Sequence, residues 1–202
     1  MSSLFRALSS LFKRALIAIL SPYLFAKYGD WWIIREEGLS RLHTRRGRLL
    51  TLAFEREVAR QGGWIGRGAR FAGQPCFPHG MRGIFISDEA QVGRGCVLFQ
   101  HTMIVSNQLL DSARRGAPTI GDHVFFGCGA VVIGAVKVGE GCRLGTNVVV
   151  HHDLAPHSVA VCQPARIIER DQPMDNRHVS LDAQGAPRYW EEGRWVKAST
   201  AD

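Results

Sequence analysis

The sequence predicts a mainly β protein, a solenoid of triangular coils that follows a short helical N-terminal region. The main observation is a period of six residues between Ile120 and Val150, in which every sixth residue is aliphatic or Phe. A small or β-branched residue comes four places after each of the first five of these heads. Helices repeat every three or four residues and amphipathic strands every two, so neither explains this period. The heads are Ile120, Phe126, Val132, Val138, Leu144 and Val150, and the small residues are Val124, Ala130, Val136, Cys142 and Val148.

Residues 1–62 carry helical signals. The stretch before Gly62-Gly63 is rich in charge and poor in β-branched residues, and a glycine pair is a typical helix end. Near the start, Arg6, Lys13 and Arg14 accompany apolar residues at roughly helical spacing. The apolar run that follows contains Pro22 and is too short to span a bilayer, and no signal-peptide cleavage site follows it. Two interpretations of residues 1–25 stay open: an amphipathic helix on a membrane surface, or a helix packed on the domain or on a partner subunit.

Residues 63–168 carry the solenoid. An isolated hexad cannot bury its apolar head, but stacked coils bury a continuous column, and three hexads make one triangular coil. An earlier block of hexads begins at Ile86, and a degenerate unit begins at Ile65. Ten residues more than the repeat allows separate Ile104 from Ile120, which predicts a protruding loop at residues 105–119. The polar tail, residues 169–202, includes a predicted small hairpin.

Charge and cysteine content limit the functional classes. The formal net charge of +7 suits an anionic partner, such as a phosphorylated cofactor, an acidic glycan or a lipid headgroup, and it equally suits solubility alone. The five cysteines form no CxxC pair, which predicts reduced thiols instead of a disulfide framework or a zinc site. We therefore expect a cytoplasmic protein, with peripheral contact at the inner membrane face left open. The sequence contains no nucleic-acid-binding module, and we expect no nucleic-acid partner.

Three short segments beside the hexads carry a family resemblance: "HGMRGIFIS", "GAPTIGD" and "QPARII". With them, the chain from about Ile65 to Ile168 resembles the hexapeptide-repeat acyltransferases, and within these the serine acetyltransferase branch. The resemblance implies a left-handed parallel β-helix, an exception to the usual right-handed crossover. It also implies a homotrimer with active sites between neighbouring subunits, and acetyl-CoA as co-substrate without a metal.

His79 is the candidate catalytic residue. Transfer of an acetyl group to a hydroxyl needs a base, and histidine suits this role because its ordinary pKa lies near neutrality. His79 stands between Pro78 and Gly80, just before the first well-formed coil, and it matches the family histidine that acts as general base. A covalent route with Cys128 as nucleophile is the alternative.

Other residues are candidates for substrate binding. His101, one coil after His79, is predicted to help hold the acceptor, with a solvent-facing turn residue as the other interpretation. Arg114 and Arg115 in the loop are predicted to bind a carboxylate or phosphate of the acceptor, with a solvated loop as the alternative. The resemblance implies coenzyme A contacts at Gly127, Cys128, Gly145, Thr146 and Arg166.

The remaining histidines of the repeat region suggest no metal site. His123, His151, His152 and His157 fall at turn positions. We expect no metal at His151-His152, because adjacent side chains on a strand point apart.

The sequence departs from the serine acetyltransferase pattern at three places. Pro78 stands where the family has an aspartate before its histidine, and Ala117 stands where it has a second histidine. An upstream aspartate of the family falls near Trp64. These departures favour a saccharide hydroxyl, in surface polysaccharide synthesis, as the acceptor. Serine is the alternative acceptor, and a non-catalytic β-helix scaffold is the alternative of another class.

Overall fold

The computed structural model describes residues 3–163, 179–191 and 194–197, with the side chains of residues 15–163, 179–189 and 194–197. The chain divides into two compact units, Met1–Gln163 and Pro164–Asp202. The first unit contains three helices and a parallel β-helix, and the second contains a small antiparallel sheet.

The three helices are α1 (Ser3–Tyr28), α2 (Trp31–Ser40) and α3 (Arg45–Arg60). Helix α1 continues through Pro22. The Asp30 carboxylate caps α2 by accepting the Trp32 backbone N–H at 2.6 Å, and the Thr44 hydroxyl caps α3 by accepting the Gly47 N–H at 2.9 Å. Among the described residues, no helix has both the length and the apolar character needed to cross a membrane.

The β-helix has three parallel sheets, which we call faces A, B and C. Face A contains β1 (Trp64–Ile65), β3 (Phe85–Ile86), β6 (Met103–Val105), β9 (Val131–Ile133) and β12 (Val149–Val150). Face B contains β2 (Arg70–Phe71), β4 (Gln91–Val92), β7 (Thr119–Ile120) and β10 (Lys137–Val138). Face C contains β5 (Val97–Leu98), β8 (Phe125–Phe126), β11 (Arg143–Leu144) and β13 (Val159–Ala160). Each coil visits A, B and C in turn, so the coils stack with their strands in parallel register.

The hexad heads form the core of the coils. Each head is the inward residue of its strand, and the small residue four places later is buried at the following corner. Phe126, for example, pairs in register with Leu98 and Leu144 of the neighbouring coils, and all three are fully buried. The predicted solenoid of triangular coils after a helical N-terminal region is therefore confirmed.

Two cysteines serve as small core residues. The Cys96 thiol lies 3.3 Å from the Gly121 carbonyl oxygen and the Cys142 thiol lies 3.1 Å from that of Ala155, in each case one coil along. Burial raises the pKa of Cys96, which keeps this thiol protonated.

The loop after β6 leaves the corner between faces A and B. The backbones of Asn107 and Gly116 pair in both directions, at 2.9 and 2.8 Å, and close its neck. Arg114 ties the loop to a later coil, because its Nη1 lies 2.6 Å from the Asp153 carboxylate. Leu109 and Leu110 at the tip are exposed.

The second unit contains β14 (Val179–Leu181), β15 (Pro187–Glu191) and β16 (Arg194–Lys197) in an antiparallel sheet. The Asp182 carboxylate accepts the backbone N–H of Ala186 at 2.9 Å, which fixes the turn between β14 and β15. The predicted turn of the hairpin, Glu192-Gly193, lies outside the described residues.

Candidate active site

The candidate catalytic residue lies on the edge where face C turns into face A, which we call the C–A edge. Residues 77–84, 99–102, 127–130 and 145–148 make this turn in four successive coils. Successive coils are about 4.8 Å apart because their strands are hydrogen-bonded. Side chains at equivalent turn positions therefore form a column along one edge.

A tight turn presents His79 at this edge. Cys76, three residues earlier, pairs with face C through its N–H to the Cys96 carbonyl oxygen (2.9 Å). The chain then reverses, with the Gly80 N–H donating to the Phe77 carbonyl oxygen at 3.1 Å and Gly80 at φ +72°. A left-handed φ favours glycine at this position. The His79 side chain is exposed and can meet a ligand in the solvent.

The end of α3 supports the same turn. The Gln61 carbonyl oxygen accepts the N–H of Gly83 at 3.0 Å. The Gln61 side-chain amide donates to Glu57 at 2.8 Å. A hydrogen bond from Arg60, assisted by the one from Gln61, lowers the pKa of Glu57 and keeps this carboxylate charged. A cavity of about 350 Å³ between the start of α2 and this turn is bordered by Trp31, Phe77 and Gly80.

Two phenylalanines form an apolar surface beside the imidazole. The Phe99 ring lies edge-on to the His79 ring, with 5.5 Å between centroids, and the Phe125 ring lies 5.4 Å from that of Phe99. The sequence interpretation missed this pair. The sequence did contain an indication of Phe125. This residue directly precedes the inward head Phe126, so it points outward from the coil.

His101 lies on the C–A edge one coil after His79. It adopts φ +62° and its N–H donates to the Arg82 carbonyl oxygen at 2.9 Å. Its ring lies over Gly83, where an added Cβ would meet the His101 Nδ1 at 2.3 Å. The ring therefore covers the preceding coil, and this contact gives His101 a structural role at the edge. His123 is similar: it also has a left-handed φ, and its ring lies over Gly95 of the preceding coil, at the corner between faces B and C.

The described residues among the predicted coenzyme A contacts lie on the C–A edge. Gly127 and Gly145 begin the turn in the third and fourth coils of the edge, and Cys128 and Thr146 follow them. Gly127 also meets a packing requirement, because an added Cβ would lie 2.8 Å from the Thr146 backbone nitrogen. Arg166, the fifth predicted contact, lies outside the described residues.

The predicted acceptor-binding arginines lie on another edge. Arg114 and Arg115 belong to the loop at the corner between faces A and B, and face A separates this corner from the C–A edge of the same chain. Arg114 pairs with Asp153 and Arg115 is exposed. Within one coil stack, these arginines and His79 are at opposite sides of face A.

The outer surface of face A is apolar along its length. In register, its outward residues run Trp64, Phe85, Met103, Val131 and Val149. The outward row of face B is instead polar, with Arg70, Gln91, Thr119 and Lys137. A continuous exposed apolar patch marks an interaction surface. The sequence interpretation overlooked this row, although each of its residues directly precedes an inward residue of face A.

The structure corrects the argument about His151 and His152. Their side chains do not point apart: the two rings are in edge-to-face contact with centroids 5.1 Å apart. The reason is that both residues follow β12 in a bend, where the alternation of a strand does not apply. Among the described residues, no group of three histidine, cysteine, aspartate or glutamate side chains could hold a metal ion.

Comparison with known proteins places these features in a family context. A family model described as bacterial transferase hexapeptide (six repeats) matches residues 117–152. The serine acetyltransferase of Helicobacter pylori strain J99 is 32% identical over 133 residues, which cover 65% of this chain and 75% of that protein. The serine acetyltransferase of Mycobacterium tuberculosis is 34% identical over 91 residues, or 45% of this chain, and the match covers only 39% of that protein.

The solved structures support the same fold. Soybean serine acetyltransferase in complex with serine superposes with a TM-score of 0.54 at 27% identity, over 68% of this chain and 56% of that one. The predicted left-handed parallel β-helix is thereby confirmed.

Proposed function

The chain belongs to the serine acetyltransferase family of hexapeptide-repeat transferases, and on this basis we propose that it is an acetyl-CoA-dependent O-acetyltransferase. The observation that carries the proposal is the exposed His79 imidazole, held by a tight turn on the C–A edge and next to an apolar surface of Phe99 and Phe125. This arrangement offers a base beside an apolar surface against which a thioester can pack.

The proposed reaction is a direct transfer in a ternary complex. His79 takes the proton from the acceptor hydroxyl while the oxygen attacks the thioester carbonyl carbon. The tetrahedral intermediate then collapses, the C–S bond breaks, and the imidazolium returns its proton to the leaving thiolate of coenzyme A. Positioning of both substrates along one edge supplies part of the rate.

The donor would extend along the C–A edge from His79 towards Thr146. On this edge Thr146 is exposed and Cys128 and Gly145 are half-buried, so a linear ligand can reach them. We retain Cys128, Gly145 and Thr146 as proposed contacts with coenzyme A. Gly127 is buried against the next coil, and its contact remains a sequence-based proposal. Arg166 remains a sequence-based proposal for its phosphates.

A homotrimer would complete this site. Face A is apolar and lies between the C–A edge and the corner that carries the loop. If neighbouring copies bury face A, the loop of one copy, with Arg114 and Arg115, comes towards His79 of another. Arg114 and Arg115 of one copy and His79 of another could then form one acceptor site, although these residues are far apart within a single chain.

For the acceptor we propose L-serine, the amino acid named in the relatives. The comparisons give no support to the predicted role in polysaccharide synthesis. A saccharide hydroxyl remains a second candidate because of one specific observation: Pro78 and Ala117 replace the two polar residues that the family pattern places around the acceptor. Neither side chain can hydrogen-bond a zwitterionic amino acid.

The decisive assay is acceptor-dependent release of the coenzyme A thiol from acetyl-CoA by the purified full chain. L-serine is compared with L-alanine, which has the same backbone groups but no hydroxyl, and with hexoses and amino sugars. We expect release with serine and none with alanine.

The assay also separates the alternatives. Release with a sugar but not with serine would favour the second acceptor. Absence of release with every hydroxyl compound, together with an unchanged melting temperature at saturating acetyl-CoA, would contradict the enzyme and favour the scaffold.

A further inference from the structure

Helix α1 is apolar on two sides. Ile17 and Leu24 are buried in the core of the first unit. Leu16, Ile19 and Tyr23 follow helical spacing on another side and are exposed, Ile19 by 75% and Tyr23 by 63%. A helix that is apolar around most of its circumference is usually covered on every side, so the exposed row indicates a further contact surface.

Arginines of α3 lie beside this row, and the sequence of α1 itself is rich in basic residues. Helix α1 contains Arg6, Lys13, Arg14 and Lys27 and no acidic residue. Arg45 and Arg48, from the start of α3, line a groove of about 340 Å³ together with Leu16. Neither arginine forms an ion pair within the part of the chain that the structure describes. The combined surface is therefore apolar in its middle and positively charged at its side.

We propose that this surface, formed by Leu16, Ile19, Tyr23, Arg45 and Arg48 and here called the α1 face, docks on an anionic lipid bilayer. The helix would lie in the plane of the interface, with the apolar row among the acyl chains and the arginines at the headgroups. Anionic lipid attracts each such cation, and apolar burial adds to this attraction.

The positive charge of the α1 face favours an anionic bilayer, and not a second copy of the chain, as the partner that covers it. Two α1 faces in contact would bring Arg45 and Arg48 of both copies together without a described acidic residue between them. An anionic membrane instead supplies the opposite charge over an extended area. The same reasoning predicts that salt weakens the contact, since the Debye length shrinks to about 3 Å at 1 M ionic strength.

The test is co-sedimentation of the full chain with vesicles of phosphatidylcholine alone and with vesicles in which about a third of the lipid is phosphatidylglycerol. We expect binding to the anionic vesicles only, weakened by salt. Ile19→Asp should lower the partition coefficient at least about tenfold. The double variant Arg45→Ala/Arg48→Ala should also lower it about tenfold or more. The matched control is Leu181→Asp, an exposed leucine in the second unit.

The outcomes are distinct. Equal binding to neutral vesicles, or no binding to either kind, would overturn the proposal. If Ile19→Asp instead shifts the mass of the lipid-free assembly in light scattering, the α1 face contacts a second copy and the bilayer is the wrong occupant. Should Ile19→Asp fail to fold, the arginine variant decides the question, because Arg45 and Arg48 are exposed and their replacement leaves the core intact. None of these residues belongs to the proposed catalytic site, so failure of this test leaves the acetyl-transfer proposal untouched.

Discussion

Arg35 is the residue that ties the helices to the β-helix. Its guanidinium carbon lies 4.9 Å from the Trp32 ring centroid and 4.8 Å from that of Phe71, so the cation lies against two aromatic rings, which are themselves in edge-to-face contact. Its Nη2 donates to the Ala69 carbonyl oxygen at 2.7 Å, and Glu36 pairs with it at the surface. Burial lowers the pKa of Arg35, and the contacts with Glu36 partly offset this effect.

Replacing this side chain should destabilise the first unit. Arg35→Ala removes the cation–π contacts and leaves a buried carbonyl oxygen without its donor, which should cost about 2–4 kcal/mol. We expect a clear fall in the melting temperature, measured by calorimetry. Arg35→Lys should be intermediate, because an ammonium cannot stack as a guanidinium does. Arg48→Ala, at an exposed site, serves as control, and an equal effect of both alanine variants would contradict this role.

At the residue scale, the sequence singles out His79 as a candidate but does not indicate the residues that surround it. His79 stood out because its neighbours matched a known motif. Its contact with Phe99 depends on which coils are stacked, which no local pattern reports. For His101 the sequence leaves open a residue that holds the acceptor and a solvent-facing turn residue. The structure shows an exposed turn residue with a left-handed φ that packs on Gly83, and this depends on the turn geometry of two coils.

The loop between β6 and β7, residues 106–118, is an insertion that the six-residue repeat does not account for. Its neck is closed by backbone pairing of Asn107 and Gly116, and its body is held by Arg114 on Asp153. The Lys137 N–H, followed by Arg114, lowers the pKa of Asp153. A depressed carboxyl pKa contributes stability above the unfolded value of about 3.9. This contribution is lost as the pH falls through the still lower folded value.

Loss of that anchor should expose the loop to protease. Asp153→Asn removes the partner of Arg114, and we expect tryptic cleavage after Arg114 or Arg115 at neutral pH to accelerate up to about fivefold, since exposed ion pairs are weak. Limited proteolysis with mass spectrometry measures this rate. Asp111→Asn, in the same loop, is the control. Unchanged cleavage in Asp153→Asn would show that the neck alone holds the loop.

Periodicity predicted the coils far better than it predicted this loop. The length of the insertion could be counted from the hexads, because the core requires an apolar residue at each sixth position. The pairing of Arg114 with Asp153 spans two coils, and nothing in the spacing of the loop itself indicates it.

Within the described residues of the first unit, face A presents an exposed apolar surface. The outward row of face A is apolar in all five of its strands, from Trp64 to Val149. Obligate interfaces resemble a protein core, which suits such a surface. The proposed trimer would bury this surface and bring the loop of one copy towards His79 of another; the number of three copies comes from the family resemblance.

A charge on face A should prevent assembly. Met103→Asp places a carboxylate in the middle of the row, and burial of an unpaired charge is strongly unfavourable. We expect wild-type chain at three times the 22.4 kDa of one copy in light scattering, and the variant mainly at the mass of one copy. Thr119→Asp, outward on face B, should keep the wild-type mass. A wild-type protein that is monomeric would rule out the shared site.

The role of His79 as the base is the central claim, and steady-state kinetics of His79→Ala test it most directly. With the acceptor identified in the release assay, kcat should fall about 10²–10⁴-fold, while the KM for acetyl-CoA, the mass and the melting temperature stay at wild-type values. His123→Asn, a histidine replaced on another edge by a residue that tolerates the same left-handed φ, should retain full kcat. A kcat for His79→Ala within threefold of wild type would contradict the account.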